Sequence, residues 1–277
     1  MTVYLIIDES GEKGYSRKIS EDDDKFGTMV GYILFDNQIK IFRDFVKDRF
    51  SQFSNDGKLH ITDLSKEKQK LLREHALKFL EANGINWIHM SIHASGFKRF
   101  SLNDNLLMHA ELFMGIFIKT ISFIYYNTKS KNINLKVISD PLDKAIINEF
   151  EKSIKLLKNM MCGQRKDTAS FSKWSPSEKK VITYTRESTF EFDDNMLLLD
   201  ELTIDITCEN SELTLIADVL SNTTYYNLNQ ELKKDSKTNL DAIQSLRNHP
   251  LVHLVYGCYD HTKENSMNYF GAVYGKR

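Results

Sequence analysis

The sequence contains few of the residues that define several common protein classes. It has only 3 cysteines and 3 prolines in 277 residues, and its formal net charge is −1. Cys162, Cys208 and Cys258 are far apart and match no CxxC or Cys/His metal spacing, so we expect three free thiols in a reducing cytoplasm. The near-zero charge is unlike that of a protein that coats DNA through bulk charge, although basic residues gathered on one face would still suit nucleic acid.

Long hydrophobic runs and a targeting segment are also missing from the sequence. The most apolar long stretch, residues 106–126, contains His109, Glu111 and Lys119, which favours a buried helix over a membrane span. Strand-like residues begin at Val3 and leave no room for a signal peptide. We therefore expect a soluble, cytoplasmic protein with no membrane partner, built as one large α/β domain or as one domain with an insertion.

Two familiar phosphate chemistries lack their motifs. The glycines in "GEKG", residues 11–14, are too closely spaced for a P-loop and are not followed by a helical pattern. A haloacid-dehalogenase-like phosphatase also begins with a strand and an aspartate, but it needs a second aspartate two residues later, where this chain has Ser10. Neither class fits the sequence.

Hydrophobic periodicity predicts alternating strands and helices after an initial pair of strands. Strands are predicted at 3–7, 27–35, 86–93, 134–139, 180–185 and 203–208. Helices are predicted at 38–53, 64–82, 103–126, 143–161 and 210–227. The polar and basic region 163–177 is predicted to be a loop or linker, and the last forty residues receive no assignment. This order predicts an α/β sheet with helices on its faces.

Two predicted strands end in acidic residues. The stretch "YLIIDESGEKG" places Asp8 and Glu9 directly after four apolar residues, and "NLKVISDP" places Asp140 directly after another strand. Ligands of open α/β sheets bind beyond the carboxyl ends of the strands, so these acids are candidates for a site. The alternative is turn chemistry, in which Asp8 caps a turn with Gly11 and Asp140 forms an Asp-Pro turn.

A third acid lies within an apolar helix. Asp218 is surrounded by apolar residues in "LTLIADVL", and a charge in such a helix is costly unless it is paired or binds a cation. Alternatively, it lies on one polar stripe with Ser211, Thr214 and Ser221. Acids that converge from two strands and a helix would form an oxygen-ligand site for Mg²⁺ or Mn²⁺. Such sites can activate water for phosphodiester cleavage.

Four segments together resemble a known family. They are "YLIIDESGEKG", "KLHITDLS" at residues 58–65, the acid after the strand at Asp140, and "IADVLSN" at residues 216–222. The family is the domain of unknown function 3800, which looks like a member of the ribonuclease H-like superfamily, and the resemblance extends from residue 3 to about residue 228. It implies a bacterial or phage protein with a ribonuclease H-like mixed sheet flanked by helices. We expect a single domain, 1–277, with a helical insertion around 38–83 and a variable loop region around 163–200.

The resemblance also implies a metal-dependent nuclease site. In this reading Asp8, Asp140 and Asp218 are catalytic ligands of Mg²⁺ or Mn²⁺, and Glu9 is an auxiliary ligand or supports the ligands. Separately, His60 lies in a predicted loop before a helix, where it is a candidate general acid or phosphate ligand; the alternative is a structural histidine.

The chain departs from the family pattern at several positions near these acids. Lys58 replaces an acid that commonly precedes the histidine, and Ser221-Asn222 replaces Ala-Gly after the last aspartate. Thr214 and Leu215 stand where the family often has glutamine. These changes keep the acids but leave an alternative open, a catalytically inactive module that binds nucleic acid or protein.

A second set of residues suggests contacts with nucleic acid outside the acidic site. Lys58 could neutralise a phosphate close to His60. The basic stretch around Arg165, Lys166, Lys173 and Trp174 mixes cations with aromatic rings, a combination that suits single-stranded nucleic acid. An exposed polar loop is the alternative. We expect DNA or RNA as the partner, without a choice between them.

Overall fold

A computed structural model describes residues 1–11, 26–53, 60–93, 108–163, 166–189, 197–234 and 246–256. The strands are β1 (Thr2–Gly11), β2 (Phe26–Phe35), β3 (Trp87–His93), β4 (Asn132–Ser139), β5 (Lys166–Ser175), β6 (Lys180–Thr189) and β7 (Glu201–Cys208). The α-helices are α1 (Asp36–Phe50), α2 (Lys66–Ala82), α3 (Met108–Thr128), α4 (Lys144–Met161) and α5 (Glu212–Lys234). Short 3₁₀ helices occupy Ser51–Phe53, Ile61–Asp63 and Val252–Leu254.

Five strands form one mixed sheet in the order β3-β2-β1-β4-β7. Strand β2 is antiparallel to both of its neighbours, whereas β4 runs parallel to β1 and to β7. The carboxyl ends of β1, β4 and β7 therefore lie at the same edge of the sheet. The predicted α/β class, a mixed sheet flanked by helices, is confirmed.

The two faces of the sheet have separate cores, and β1 contributes to both. Val3, Leu5 and Ile7 pack in the core that contains α3 and α4, whereas Ile6 packs in the core that contains α1, α2 and α5. Because side chains alternate along a strand, the next two positions of β1 also belong to opposite faces. One face has α5 and the other has α3, so the acids that follow Ile7 meet different helices.

Helix α3 fills the centre of one core. It has the length and mean hydropathy of a membrane span, and 72% of its most apolar window is buried inside the fold. It packs against β2, β3 and α4. The prediction of a buried helix is therefore confirmed for Met108–Thr128, whereas residues 103–107, where we predicted its start, lie outside the described residues.

The prediction of a loop at 163–177 is wrong. Strand β5 occupies Lys166–Ser175 and pairs with β6 over ten residue pairs, forming a two-stranded sheet of its own. The stretch contains Thr168, Phe171 and Trp174, which are residue types that favour strands. The sequence pattern did not predict this strand, because β5 is polar and its apolar and polar residues do not alternate.

The described part of the C-terminal region completes the core that contains α1, α2 and α5. Leu246, Leu251 and Val255 are buried there, and the Trp87 indole Nε1–H donates to the Leu251 carbonyl oxygen at 2.7 Å. The Tyr256 backbone N–H also donates to the Trp87 carbonyl oxygen at 2.9 Å. Residues 246–256 therefore cover the edge strand β3, which sequence patterns did not indicate.

Gly11 ends β1 in a conformation that only glycine adopts easily, with φ +83°. A Cβ there would overlap the Tyr225 ring and lie 2.5 Å from the Phe26 carbonyl oxygen. We expect Gly11→Ala to lower the free energy of unfolding by about 2–4 kcal/mol, through backbone strain and overpacking together. Urea unfolding followed by circular dichroism measures this change.

Gly84 provides the matched control for that substitution. It also has a positive φ, +59°, but an added Cβ would meet nothing within 4 Å. Gly84→Ala should therefore cost only the strain, about 1–2 kcal/mol. Equal losses in the two variants would show that the contact with Tyr225 and Phe26 contributes nothing.

Candidate metal centre

A cavity of about 610 Å³ opens where β1 and β4 end. Its lining residues are Asp8, Glu9, Ser10, Gly11, His60, Thr62, Asp140, Pro141, Leu142, Asn210, Asp218 and Asn222. The structure thus brings Asp8, Asp140 and Asp218 into one cavity, although each is more than 70 residues from the next in the sequence. The parallel pairing of β1 with β4 and the packing of α5 on β1 account for the convergence.

Asp8 is 6% exposed and belongs to the face of β1 that packs against α5. The Ser221 hydroxyl donates to Asp8 Oδ2 at 2.6 Å, so a residue of α5 sets its orientation. Burial raises the pKa of Asp8 well above its usual value, and the charges of Glu9, Asp218 and Asp140 raise it further. The hydrogen bond from Ser221 opposes this shift only in part.

Asp218 is 7% exposed and accepts a backbone hydrogen bond. The Ile61 N–H donates to Asp218 Oδ2 at 2.6 Å, at the start of the 3₁₀ helix Ile61–Asp63. This bond satisfies one oxygen of a carboxylate that would otherwise be buried in an apolar helix. It also holds the segment that contains His60 against the cavity.

His60 lies between two carboxylates. Its Nδ1 is 3.4 Å from Asp140 Oδ2 and 3.8 Å from Asp218 Oδ2. Asp218 is the main cause that raises the pKa of His60, partial burial lowers it, and the charge of Asp140 adds to the increase. The imidazole is therefore biased towards its protonated form, which the two acids stabilise.

Asp140, directly after β4, has one carboxylate oxygen whose hydrogen bonding is incomplete among the described residues. Its Oδ1 is buried and has no hydrogen-bond partner among the described residues. Burial raises the pKa of Asp140, while Thr214 and the His60 charge lower it. A buried oxygen without a donor is costly, and a cation is one group that would satisfy it.

Glu9 lies on the opposite face of β1 from Asp8. Its Oε2 is 3.7 Å from Nε2 of His109, a fully buried residue of α3 whose ring meets Phe150 edge-on at 5.0 Å. Sequence reasoning gave His109 no role in the site. A histidine within the most apolar stretch of the chain is unusual and could have drawn attention to His109. The sequence pattern, however, does not show which strand this histidine faces.

Asn222 is the other functional candidate that sequence reasoning missed. It lines the cavity, and its side-chain oxygen accepts a hydrogen bond from Nη2 of Arg73 at 2.9 Å. Helix α2 thereby places a cation next to a cavity-lining amide. The departure from Ala-Gly at positions 221 and 222 thus supplies two polar contacts, one of them with Asp8.

The chemistry of the lining residues fits a hard divalent cation. Four lining residues are carboxylates, and His60 is the only basic residue among the described residues that line the cavity. Carboxylate oxygens are preferred by Mg²⁺ and Mn²⁺, and Asp140 Oδ1 has no hydrogen-bond partner within the described part of the chain. Within the described part of the chain, however, no three histidine, cysteine, aspartate or glutamate side chains are spaced to hold a metal ion as they stand.

The structure places only part of the set of residues predicted to contact nucleic acid. Lys58 and Arg165 are outside the described residues. Lys166 and Trp174 are exposed on β5, and neither lines the cavity. Lys173 belongs to the same strand, but its side chain lies outside the described part of the structure. Lys166 and Trp174 are therefore separate from the acidic cavity.

Comparison with protein-family models gives no match, and comparison with curated proteins also gives none. The assignment of function therefore depends on the fold and on the geometry of the cavity.

Proposed function

We propose that the protein is a divalent-metal-dependent nuclease of ribonuclease H-like type, which hydrolyses phosphodiester bonds of DNA or RNA. The observation that supports this most directly is the convergence of Asp8, Asp140 and Asp218 in one cavity at the sheet edge. Three acids from two parallel strands and a facing helix form an oxygen donor set for Mg²⁺ or Mn²⁺.

The positions of the acids support the ribonuclease H-like assignment. The resemblance implies an acid in the first strand, an acid that closes the fourth strand and an acid in the final helix of the site. Asp8 lies in β1, Asp140 directly follows β4, and Asp218 lies in α5. The sheet order, with β1 between β2 and β4, makes the first two of these neighbours.

The negative charge of the cavity means that the proposed reaction requires a bound divalent cation. A phosphodiester is an anion, and the cavity contains four carboxylates with one histidine as the described base. Such a cavity repels the substrate unless a cation offsets the charge. Bound Mg²⁺ or Mn²⁺ would supply an activated water and would stabilise the leaving oxygen.

The residues of the chain have separate roles in the proposed reaction. Asp8, oriented by Ser221, and Asp218, oriented by the Ile61 N–H, are held in place before any ligand binds. Asp140 offers an oxygen to which no described residue donates a hydrogen bond. His60, whose pKa is raised by Asp218 and Asp140, donates a proton to the leaving oxygen of the phosphodiester.

A second candidate function is a catalytically inactive module that binds nucleic acid or protein. Two observations favour it. Within the described residues no three candidate ligands are spaced to hold a metal, and Asp8 and Asp218 each already accept a hydrogen bond within the protein. In this alternative the polar contacts serve only to stabilise the fold.

A cleavage assay separates the two functions. The purified chain is incubated with end-labelled single- and double-stranded DNA and RNA in Mg²⁺, in Mn²⁺ and in EDTA. We expect at least one substrate to be cut in metal and none in EDTA. If the folded protein cuts no substrate in either metal, the nuclease proposal is wrong; cutting that persists in EDTA would refute its dependence on metal.

A further inference from the structure

The hairpin β5–β6 exposes large apolar side chains. Trp174 is 57% exposed, Val181 61% and Tyr184 45%. A two-stranded hairpin buries little surface by itself, so it gains little stability to offset the exposure of large apolar side chains to water. Their exposure indicates a surface that contacts another molecule.

The strand register arranges charge and aromatic rings on this hairpin. Lys180, Ile182, Tyr184 and Arg186 alternate along β6 and therefore share one face, each about 6.7 Å from the next. Lys173 and Phe171 are the cross-strand partners of Ile182 and Tyr184. The opposite face has Trp174 paired with Val181, beside the hydroxyl pair Ser172–Thr183 at 2.9 Å.

The charge of the hairpin is opposite in sign to that of the chain. Residues 166–189 include five basic and three acidic residues, whereas the whole chain has a formal net charge of −1. The cations in this segment are Lys166, Lys173, Lys179, Lys180 and Arg186. A basic element on a slightly acidic protein is complementary to a polyanion.

We infer that the β5–β6 hairpin is a binding site for single-stranded nucleic acid. Lys180 and Arg186 contact phosphates beside Tyr184, whose ring stacks on a base on the same face. The strand passes around the hairpin, so that a second base stacks on Trp174 on the opposite face. Single strands are specified because an exposed ring can stack only on a base whose face is uncovered, whereas duplex bases cover one another. The choice of nucleic acid as the ligand rests on the proposed nuclease function. A nuclease with an acidic cavity requires a separate basic element to retain the nucleic acid.

The test measures binding without catalysis. Fluorescein-labelled single strands of DNA and RNA, and the matching duplexes, are titrated with the full chain in EDTA, and anisotropy is recorded. We expect single strands of DNA, RNA or both to bind at least tenfold more tightly than the duplexes. Tyr184→Ala and Trp174→Ala should each weaken binding by about tenfold to a hundredfold. Lys180→Glu and Arg186→Glu should each weaken it and reduce the salt dependence.

Matched substitutions control for general effects of losing a ring or reversing a charge. Tyr226 is 62% exposed on α5, and Lys155 is exposed on α4. Tyr226→Ala and Lys155→Glu should change the affinity less than twofold. A loss as large as that of the hairpin variants would overturn the inference.

Intrinsic fluorescence gives an independent measurement on the wild type. The chain has two tryptophans, of which Trp87 is fully buried and Trp174 is 57% exposed. Stacking of a base on Trp174 should quench the exposed component, and Trp174→Phe should remove the quenching while it retains most of the affinity.

Three further results would overturn the inference: no single-strand binding, unchanged affinity in both ring variants, or a preference for duplex. The assay also separates this inference from the nuclease proposal. If the hairpin variants lose single-strand binding in EDTA but no substrate is cut in metal, the inference stands and the nuclease proposal falls. If the wild type cuts nucleic acid and the hairpin variants bind normally, the nuclease proposal stands and the inference falls.

Discussion

Replacing Asp8 with asparagine should make the metal-free protein more stable at neutral pH. Asp8 is buried beside Glu9, Asp140 and Asp218, and burial together with these charges raises its pKa well above the usual value. Asparagine has nearly the same shape and can still accept the hydrogen bond from Ser221. We expect Asp8→Asn to raise the free energy of unfolding by about 1–3 kcal/mol in EDTA at pH 7.5, measured by urea unfolding.

The pH dependence of this gain follows from the direction of the shift. An acid whose pKa is raised on folding binds its proton more tightly in the native state. Its stabilising contribution is therefore complete below the unfolded pKa of about 3.8 and is lost as the pH rises through the folded pKa. The difference between Asp8→Asn and the wild type should be small at pH 3.5 and should increase towards pH 7.5.

A matched substitution tests whether the effect is specific to the cavity. Asp205 is an exposed acid on β7, a strand of the same sheet. Asp205→Asn should change the free energy of unfolding by less than about 0.5 kcal/mol, as is usual at the surface. The electrostatic description of the cavity would be wrong if Asp8→Asn destabilised the metal-free protein, or if its effect did not depend on pH.

The second large effect concerns catalysis. We expect Asp140→Asn and Asp218→Asn each to reduce metal-dependent cleavage by at least about a thousandfold, because both carboxylates are proposed ligands in one unit. Asparagine at 218 can still accept the Ile61 N–H, so the segment with His60 should keep its position. Single-turnover cleavage of the labelled substrate measures the rate, with circular dichroism to confirm folding.

Two further variants calibrate that result. His60→Ala should reduce the rate by about a hundredfold or more, as expected for a general acid, and the loss should be smaller for a substrate with a better leaving group. Asp205→Asn should cleave at the wild-type rate, since this exposed acid on β7 does not line the cavity. Cleavage by Asp140→Asn or Asp218→Asn within tenfold of the wild type would remove these carboxylates from the mechanism.

Much of the sheet and its helices could be predicted because local signals agree with the fold. Tyr4 to Ile7 form a continuous apolar run, and β1 is the middle strand of the sheet, with neighbours on both sides and helices on both faces. The apolar positions of α3 are likewise mostly buried. The alternation in β3 predicts the strand correctly, but all seven of its residues are buried, including the polar ones. Elements that bury a regular stripe of side chains can be recognised from periodicity.

Other parts depend on contacts that periodicity cannot show. The strand β5 has no apolar face, so its pairing with β6 left no pattern in the sequence. The segment 246–256 is held through Trp87, more than 150 residues away in the chain.

The candidate site shows the same division between local and long-range information. The acids at strand ends and in the final helix could be found, because each is unusual in its own neighbourhood. The groups that contact these acids could not be predicted. Ser221, the Ile61 N–H and His109 reach them from other elements of the fold, so their contacts are not visible in the local sequence.

The most direct test of the central claim is the effect of Mn²⁺ on thermal stability. A ligand that binds only the folded state stabilises it by about 2.7 kcal/mol at a hundred times its dissociation constant, or roughly 5–10 °C in Tm for a chain of this size. We predict such a rise for the wild type and for Asp205→Asn, and little or none for Asp8→Asn, Asp140→Asn and Asp218→Asn. A wild-type Tm that Mn²⁺ leaves unchanged, or an equal rise in all five proteins, would contradict a metal centre formed by these three acids.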